Sequence, residues 1–126
     1  TMISNLDHLV LTVKDIPRTV SFYTTVLKMK EITFGDNRKA LTFGSQKINL
    51  HQKGDEFSPH AKAPTEGSSD LCFIAKDSLE EVIFELQKNN VEIIEGPVER
   101  TGAMFKLLSV YFRDPDGNLI EVSSKK

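Results

Sequence analysis

Apolar positions recur in two rhythms along this chain, and the same succession of rhythms is written twice. Residues 6–13 (LDHLVLTV) are rich in apolar and β-branched side chains and predict a strand. Asp15 can cap a following helix whose first turn tolerates Pro17. Ile16, Val20, Tyr23 and Leu27 recur there at helical spacing and should face a sheet. Three short strands are predicted next, at 30–34, 38–43 and 47–51. Gly35-Asp36-Asn37 and Gly44-Ser45 supply the turns between them.

After a polar connector over 54–69 the pattern restarts. A strand at 70–75 leads to Ser78 and Glu81, the signature of a capping box. Leu79, Val82, Ile83 and Leu86 then form an apolar helical stripe. Strands are expected at 91–95, 107–112 and 119–123, with Gly96 to Lys106 as a long loop. Asp114-Pro115-Asp116-Gly117 makes a turn before the last strand. The halves align at an offset of 62: Leu9 falls on Leu71, Lys14-Asp15 on Lys76-Asp77, Val20 on Val82 and Phe22 on Phe84. Extra residues in the second half bring Asn49 onto Glu121. The repeated order of elements, more than these identities, argues for duplication.

The expected fold is therefore α+β. Two βαβββ modules, 4–53 and 70–124, form a curved mixed sheet with helices on the outer face, all within one domain of 126 residues. Alternation assigns the faces. Leu9, Leu11 and Val13 should lie under the helix, as should Leu71, Phe73 and Ala75. The same rule buries Ile48, Leu50, Leu108, Val110, Phe112, Ile120 and Val122. It turns His8, Asn49, His51, Asp70, Tyr111, Arg113, Leu119 and Glu121 toward the opposite, concave face.

Composition adds exclusions. An apolar content of 39%, a charged content of 27% and a net charge of −2 are those of an ordinary globular protein, with no basic patch for nucleic acid. No apolar run approaches membrane-spanning length. The opening Thr1-Met2-Ile3-Ser4 lacks the features of a signal peptide, and a single cysteine suggests a reducing, cytoplasmic setting. Cys72 is expected to be a small core residue. Lys28 stands where a helix-ending glycine would be usual, and a left-handed conformation there costs about 1–2 kcal/mol.

Three stretches in order carry a resemblance: Leu6-Asp7-His8-Leu9-Val10-Leu11-Thr12-Val13, then Ser21-Phe22-Tyr23 with Val26-Leu27, then Asp114-Pro115-Asp116-Gly117-Asn118-Leu119-Ile120-Glu121-Val122. With them the chain resembles the vicinal oxygen chelate superfamily of glyoxalases, bleomycin-resistance proteins and extradiol dioxygenases. More narrowly, it is similar to glyoxalase domain-containing proteins. The resemblance implies a divalent metal held from the first and last strands of the modules. His8 matches the first-strand ligand and Glu121 the last-strand ligand. Asp70 stands where the second module usually opens with His, and Asn49 stands at the fourth-strand position, with His51 two residues on.

The candidate metal ligands are thus His8, Glu121, Asp70 and His51, for Mn, Zn, Ni, Mg or Fe(II). The other reading of Glu121 is a buried carboxylate paired with Arg38 or Arg113. For Asp70 it is a cap touching Ser68 or Ser69, and for His51 an exposed strand end. Arg38 and Arg113, if not surface charges, would clamp an anionic substrate. Asn49, Tyr111 and Arg100, the last in the long loop, complete the substrate-binding set.

The resemblance implies a lyase or isomerase acting on a small molecule whose adjacent oxygens chelate the ion, with Glu121 and Asp70 as catalytic carboxylates and Asp70 as the base. Two alternatives are a metal-free module that sequesters a small molecule and an Fe(II) extradiol-type dioxygenase, which would need His51 as a ligand. Unpaired sheet edges suggest a homodimer.

Overall fold

The computed structural model describes all of residues 1–126 and divides into two compact units, Thr1–Glu66 and Gly67–Lys126. No helix is long and apolar enough to cross a membrane.

The first unit runs β1 (His8–Val13), α1 (Ile16–Val26), β2 (Lys30–Phe34), β3 (Arg38–Phe43) and β4 (Gln46–Gln52). Its sheet has the order β1-β4-β3-β2, with β1 parallel to β4 and the remaining pairs antiparallel. The helix starts at Asp15, whose carboxylate accepts the N–H of Arg18 at 3.3 Å. It ends at Leu27, and Lys28 then takes φ 60°, the left-handed conformation anticipated for it. Leu11, Val13, Leu41, Ile48 and Leu50 form the sheet's side of the core, against Val20, Tyr23 and Val26 of α1. Val26 takes the buried place expected for Leu27, because the helix closes there and Leu27 has already left helical geometry.

The second unit repeats the plan with β5 (Asp70–Ile74), α2 (Leu79–Lys88), β6 (Glu95–Thr101), β7 (Lys106–Arg113) and β8 (Leu119–Lys125), in the order β5-β8-β7-β6. Ser78 caps α2 by accepting the N–H of Glu81 at 3.2 Å. Asn90, 62 residues after Lys28, takes φ 57° at the same point of the plan. Asn tolerates this conformation better than most residues.

Two expectations need correction. Residues 91–94 are not a strand, and β6 instead occupies the stretch expected to be a loop. Gly96 and Pro97 look like breakers, yet they lie where the β6–β7 register shifts between Glu95 and Val98. Gly96 has φ 105°, and a Cβ on it would strike the Ser109 carbonyl, so the close approach requires glycine. Arg100 is therefore a strand residue. Cys72, secondly, is exposed rather than in the core. It sits on edge strand β5 with its side chain on the face away from α2.

The Asp114–Asn118 turn is structural. Gly117 N donates to Asp114 O at 3.0 Å, and Asp114 Oδ1 accepts the N–H groups of Asp116 and Asn118. Buried Asn118 then accepts the N–H of Ser69 at 2.9 Å, which locks the entry to β5 beside β8.

Candidate functional site

In the first unit the register pairs His8 with Lys47, Val10 with Asn49 and Thr12 with His51, and places Ala40 opposite Asn49. Directly paired residues point the same way. His8, Asn49, His51 and Arg38 therefore share the face turned away from α1, as alternation implied.

His8 opens β1 and is exposed. Its Nδ1 lies 2.9 Å from Asp7 Oδ2. A carboxylate only accepts, so Nδ1 carries hydrogen, and in the neutral tautomer the lone pair sits on Nε2. That is how metal-binding imidazoles are usually oriented by a second partner.

His51 is not exposed at a strand end but only 2% accessible. Arg38 donates from Nη2 to His51 Nε2 at 3.3 Å. Since guanidinium cannot accept, His51 is a neutral ring protonated on Nδ1. That Nδ1–H and the Oδ1 of Asn49 are buried without partners. Burial first, and then the Arg38 charge, lower the His51 pKa below its ordinary value. Four register steps separate His51 from His8, roughly 13 Å along the strands. One nitrogen is held by a cation, the other is enclosed, and the two imidazoles do not converge. Phe57 packs edge-on to His51 at 5.5 Å and also lies under the Arg38 guanidinium at 4.4 Å.

In the second unit Glu121 lies between Tyr111 of β7 and Cys72 of β5. No arginine neutralises it within this unit. Instead Ser109 Oγ donates to Glu121 Oε2 at 2.7 Å and Ser123 Oγ approaches the same oxygen at 3.3 Å. The two serines are fully buried, with their oxygens 2.6 Å apart. Ser109 has one proton and gives it to Glu121, so it accepts from Ser123. Cys72 Sγ extends the chain at 3.4 Å from Ser123 Oγ. Burial and the Glu121 charge raise the Cys72 pKa against the opposing Ser123 bond. The thiol stays protonated at neutral pH. The network fixes Oε2 of Glu121, and Cys72 and Tyr111 also bear on the carboxylate as hydrogen-bond partners.

Asp70 is the first residue of β5, opposite Leu119 on the same face as Glu121. It is exposed and its carboxylate makes no hydrogen bond, so the expected cap to Ser68 or Ser69 does not form. Arg100 Nη2 pairs with Glu95 at 2.6 Å and its Nε donates to Tyr111 Oη at 2.9 Å. Burial, followed by the nearby Glu121 carboxylate, raises the Tyr111 pKa although the Arg100 hydrogen bond opposes this. Arg113 is exposed and reaches the Gly117 carbonyl at 3.4 Å. Neither unit gathers three His, Cys, Asp or Glu side chains around one point.

Sequence reasoning missed Asp7, Ser109, Ser123, Phe57 and Glu95. The serines carried a signal, since both share the Glu121 side of their strands, between apolar residues that alternation turns to the other face. Phe57 lies beyond β4 and carried none.

Residues 5–122 match the family model of the Glyoxalase/Bleomycin resistance protein/Dioxygenase superfamily. Virulence protein STM3117 of Salmonella typhimurium is 56% identical over 97% of this chain and 85% of its own length. Its crystal structure superposes with a TM-score of 0.97 at 54% identity, covering 100% of both chains. Glyoxalase domain-containing protein RDO1 of Mycosarcoma maydis is 55% identical over 97% of this chain and 69% of its own length. Metallothiol transferase FosB of Staphylococcus saprophyticus is 30% identical over 96% and 77%. On the family match and these identities, the chain belongs to the glyoxalase, bleomycin resistance protein and dioxygenase superfamily.

Proposed function

We propose that the protein is a divalent-metal-dependent enzyme of lyase or isomerase type, acting on a small molecule with adjacent oxygens. His8 and Glu121 are its metal donors, and Asp70 is the third donor or the base. The observation that carries this reading is that each of the two residues is oriented by a hydrogen-bonding neighbour. Asp7 holds the Nδ1–H of His8, which leaves the lone pair on Nε2. Ser109 holds Oε2 of Glu121 at 2.7 Å, and Ser123 in turn holds Ser109 at 2.6 Å. An imidazole nitrogen and a carboxylate oxygen suit Mn, Zn, Ni or Fe(II), and added carboxylate oxygen from Asp70 favours Mn or Mg. The name of the FosB relative, a metallothiol transferase, agrees with metal chemistry in the family.

A bound divalent ion would act as a Lewis acid toward substrate oxygens. The chain's own residues do the rest. Asp70, whose exposed carboxylate accepts no hydrogen bond, is the base that takes a proton from substrate carbon. Tyr111 accepts from Arg100 and is a hydrogen-bond partner of Glu121, so it helps to orient that carboxylate. The dioxygenase reading is not retained, because it needs His51 as a donor while Arg38 occupies its Nε2. Metal analysis of protein purified without chelator tests the proposal, followed by a screen of 2-hydroxy and 2-oxo substrates with the bound ion present. Tight, stoichiometric binding supports it. Protein that binds none of these ions would instead be a metal-free binding module.

A further inference from the structure

We infer that the first unit carries an oxyanion site on the open face of its sheet, where Arg38 binds a carboxylate or phosphoryl group of a small molecule and Lys47 adds attraction. The inference deepens the proposed function by naming the charged end of the substrate, and it rests on that reading only in calling the ligand a substrate.

Charge supplies the first argument. Every charged side chain that the register places on this face is basic: Lys30, Arg38 and Lys47. Arg38 and Lys47 lie over the same Phe34 ring, at 5.3 and 3.9 Å from its centroid. Neither forms an ion pair. Two cations gathered on one ring repel each other, and an anion between or beside them relieves that repulsion. Glu56, which follows in the chain and acts electrostatically on His51, is tied to the Gly54 N–H at 2.9 Å.

The second argument is preorganisation. Phe34 and Phe57 hold the guanidinium by cation–π contact, and His51 accepts one of its N–H groups. The remaining N–H groups have no protein acceptor. A guanidinium fixed in this way, beside rings that exclude water, matches the forked geometry of carboxylate or phosphate oxygens. The unpartnered Nδ1–H of His51 and Oδ1 of Asn49 lie on the same face, so this part of the sheet has more polar capacity than the protein satisfies. The corresponding strand pair in the second unit carries Ser109 and Ser123, which are satisfied by Glu121. The basic site is a property of one module only.

The test is isothermal titration of EDTA-treated protein, in low-salt buffer free of other polyvalent anions, with inorganic phosphate, methylphosphonate and malonate. Wild type should bind at least one of the three saturably at millimolar concentration or below. Stronger binding of phosphate and methylphosphonate would mark the group as phosphoryl, and stronger binding of malonate would mark it as carboxylate. Arg38→Gln should weaken the binding by at least about tenfold, with Arg38→Lys intermediate and Lys47→Gln weaker by a few-fold. Glu121→Gln should bind as wild type, which separates this inference from the metal proposal. Lys47→Gln changes a partly exposed side chain and keeps the test open should Arg38→Gln fold poorly. The inference is overturned if no probe binds wild type, or if binding is the same in the Arg38 and Lys47 variants.

Discussion

Ser109 Oγ and Glu121 Oε2 are joined by a hydrogen bond of 2.7 Å, in which a fully buried hydroxyl aims a half-buried carboxylate. The bond links adjacent strands two positions apart on one face, since Ser109 pairs with Ser123 and Tyr111 with Glu121. Ser109→Ala should therefore act on function and stability together. Metal affinity should fall roughly 10–100-fold, as for other partners that orient a ligand. Stability should fall by about 1–3 kcal/mol, because Ser123 and Glu121 each lose a buried partner. Metal titration and urea denaturation of the same preparation would check both.

Asp7 should behave differently. Its side chain is 84% exposed, and its one described partner is His8 Nδ1. Asp7→Ala should leave the urea midpoint within error of wild type. It should still weaken metal binding by about tenfold, because the imidazole is then free to turn and to exchange tautomers. An unchanged metal affinity would mean that Asp7 does not orient His8.

Burial and the Arg38 charge depress the His51 pKa in the folded state below its ordinary 6.5. Once pH falls below that value the unfolded chain takes a proton that the folded one refuses, so the unfolded state binds more protons. The neutral-His contribution is fully present above pH 6.5 and is lost as pH falls from there toward the folded-state pKa. Urea denaturation between neutral and mildly acid pH should show this slope, and His51→Gln should reduce it.

Lys28 is left-handed at φ 60°, which glycine adopts without strain. Its Nζ also donates to the Thr25 carbonyl at 2.8 Å, but that bond is exposed. Lys28→Gly should therefore raise stability by about 1 kcal/mol, the relief of left-handed strain less the greater freedom of glycine when unfolded. A thermal melt would register this as a rise of several degrees.

Much of this architecture was legible in the sequence because strand alternation has a period of two. Once Leu9, Leu11 and Val13 were assigned to the helix side, His8 and its neighbours had to face the other way, and the same parity carried through to Glu121. The duplication located equivalent elements, and the structure adds that Lys28 and Asn90, 62 residues apart, are both left-handed. What stayed hidden depended on contacts remote in sequence. Gly96 looked like a breaker because the Ser109 backbone that demands a glycine arrives from β7. Cys72 looked like core because its apolar neighbours did not reveal an edge strand. His51 looked like an exposed end or a ligand because Arg38 and Phe57, which hold and cover it, come from a different strand and from the connector.

Metal binding by wild type, His8→Ala and Glu121→Gln bears most directly on the proposed function. Glu121→Gln can still accept the Ser109 hydrogen bond, so it removes the anionic donor while sparing the network. Titration of chelator-stripped protein with Mn²⁺, Zn²⁺, Ni²⁺ and Fe²⁺ should give saturable binding of at least one ion to wild type, with affinity lost by more than about 100-fold in both variants, beyond the effect of a supporting partner. Binding that is absent in wild type, or that survives both substitutions, would contradict the assignment of His8 and Glu121 as metal donors.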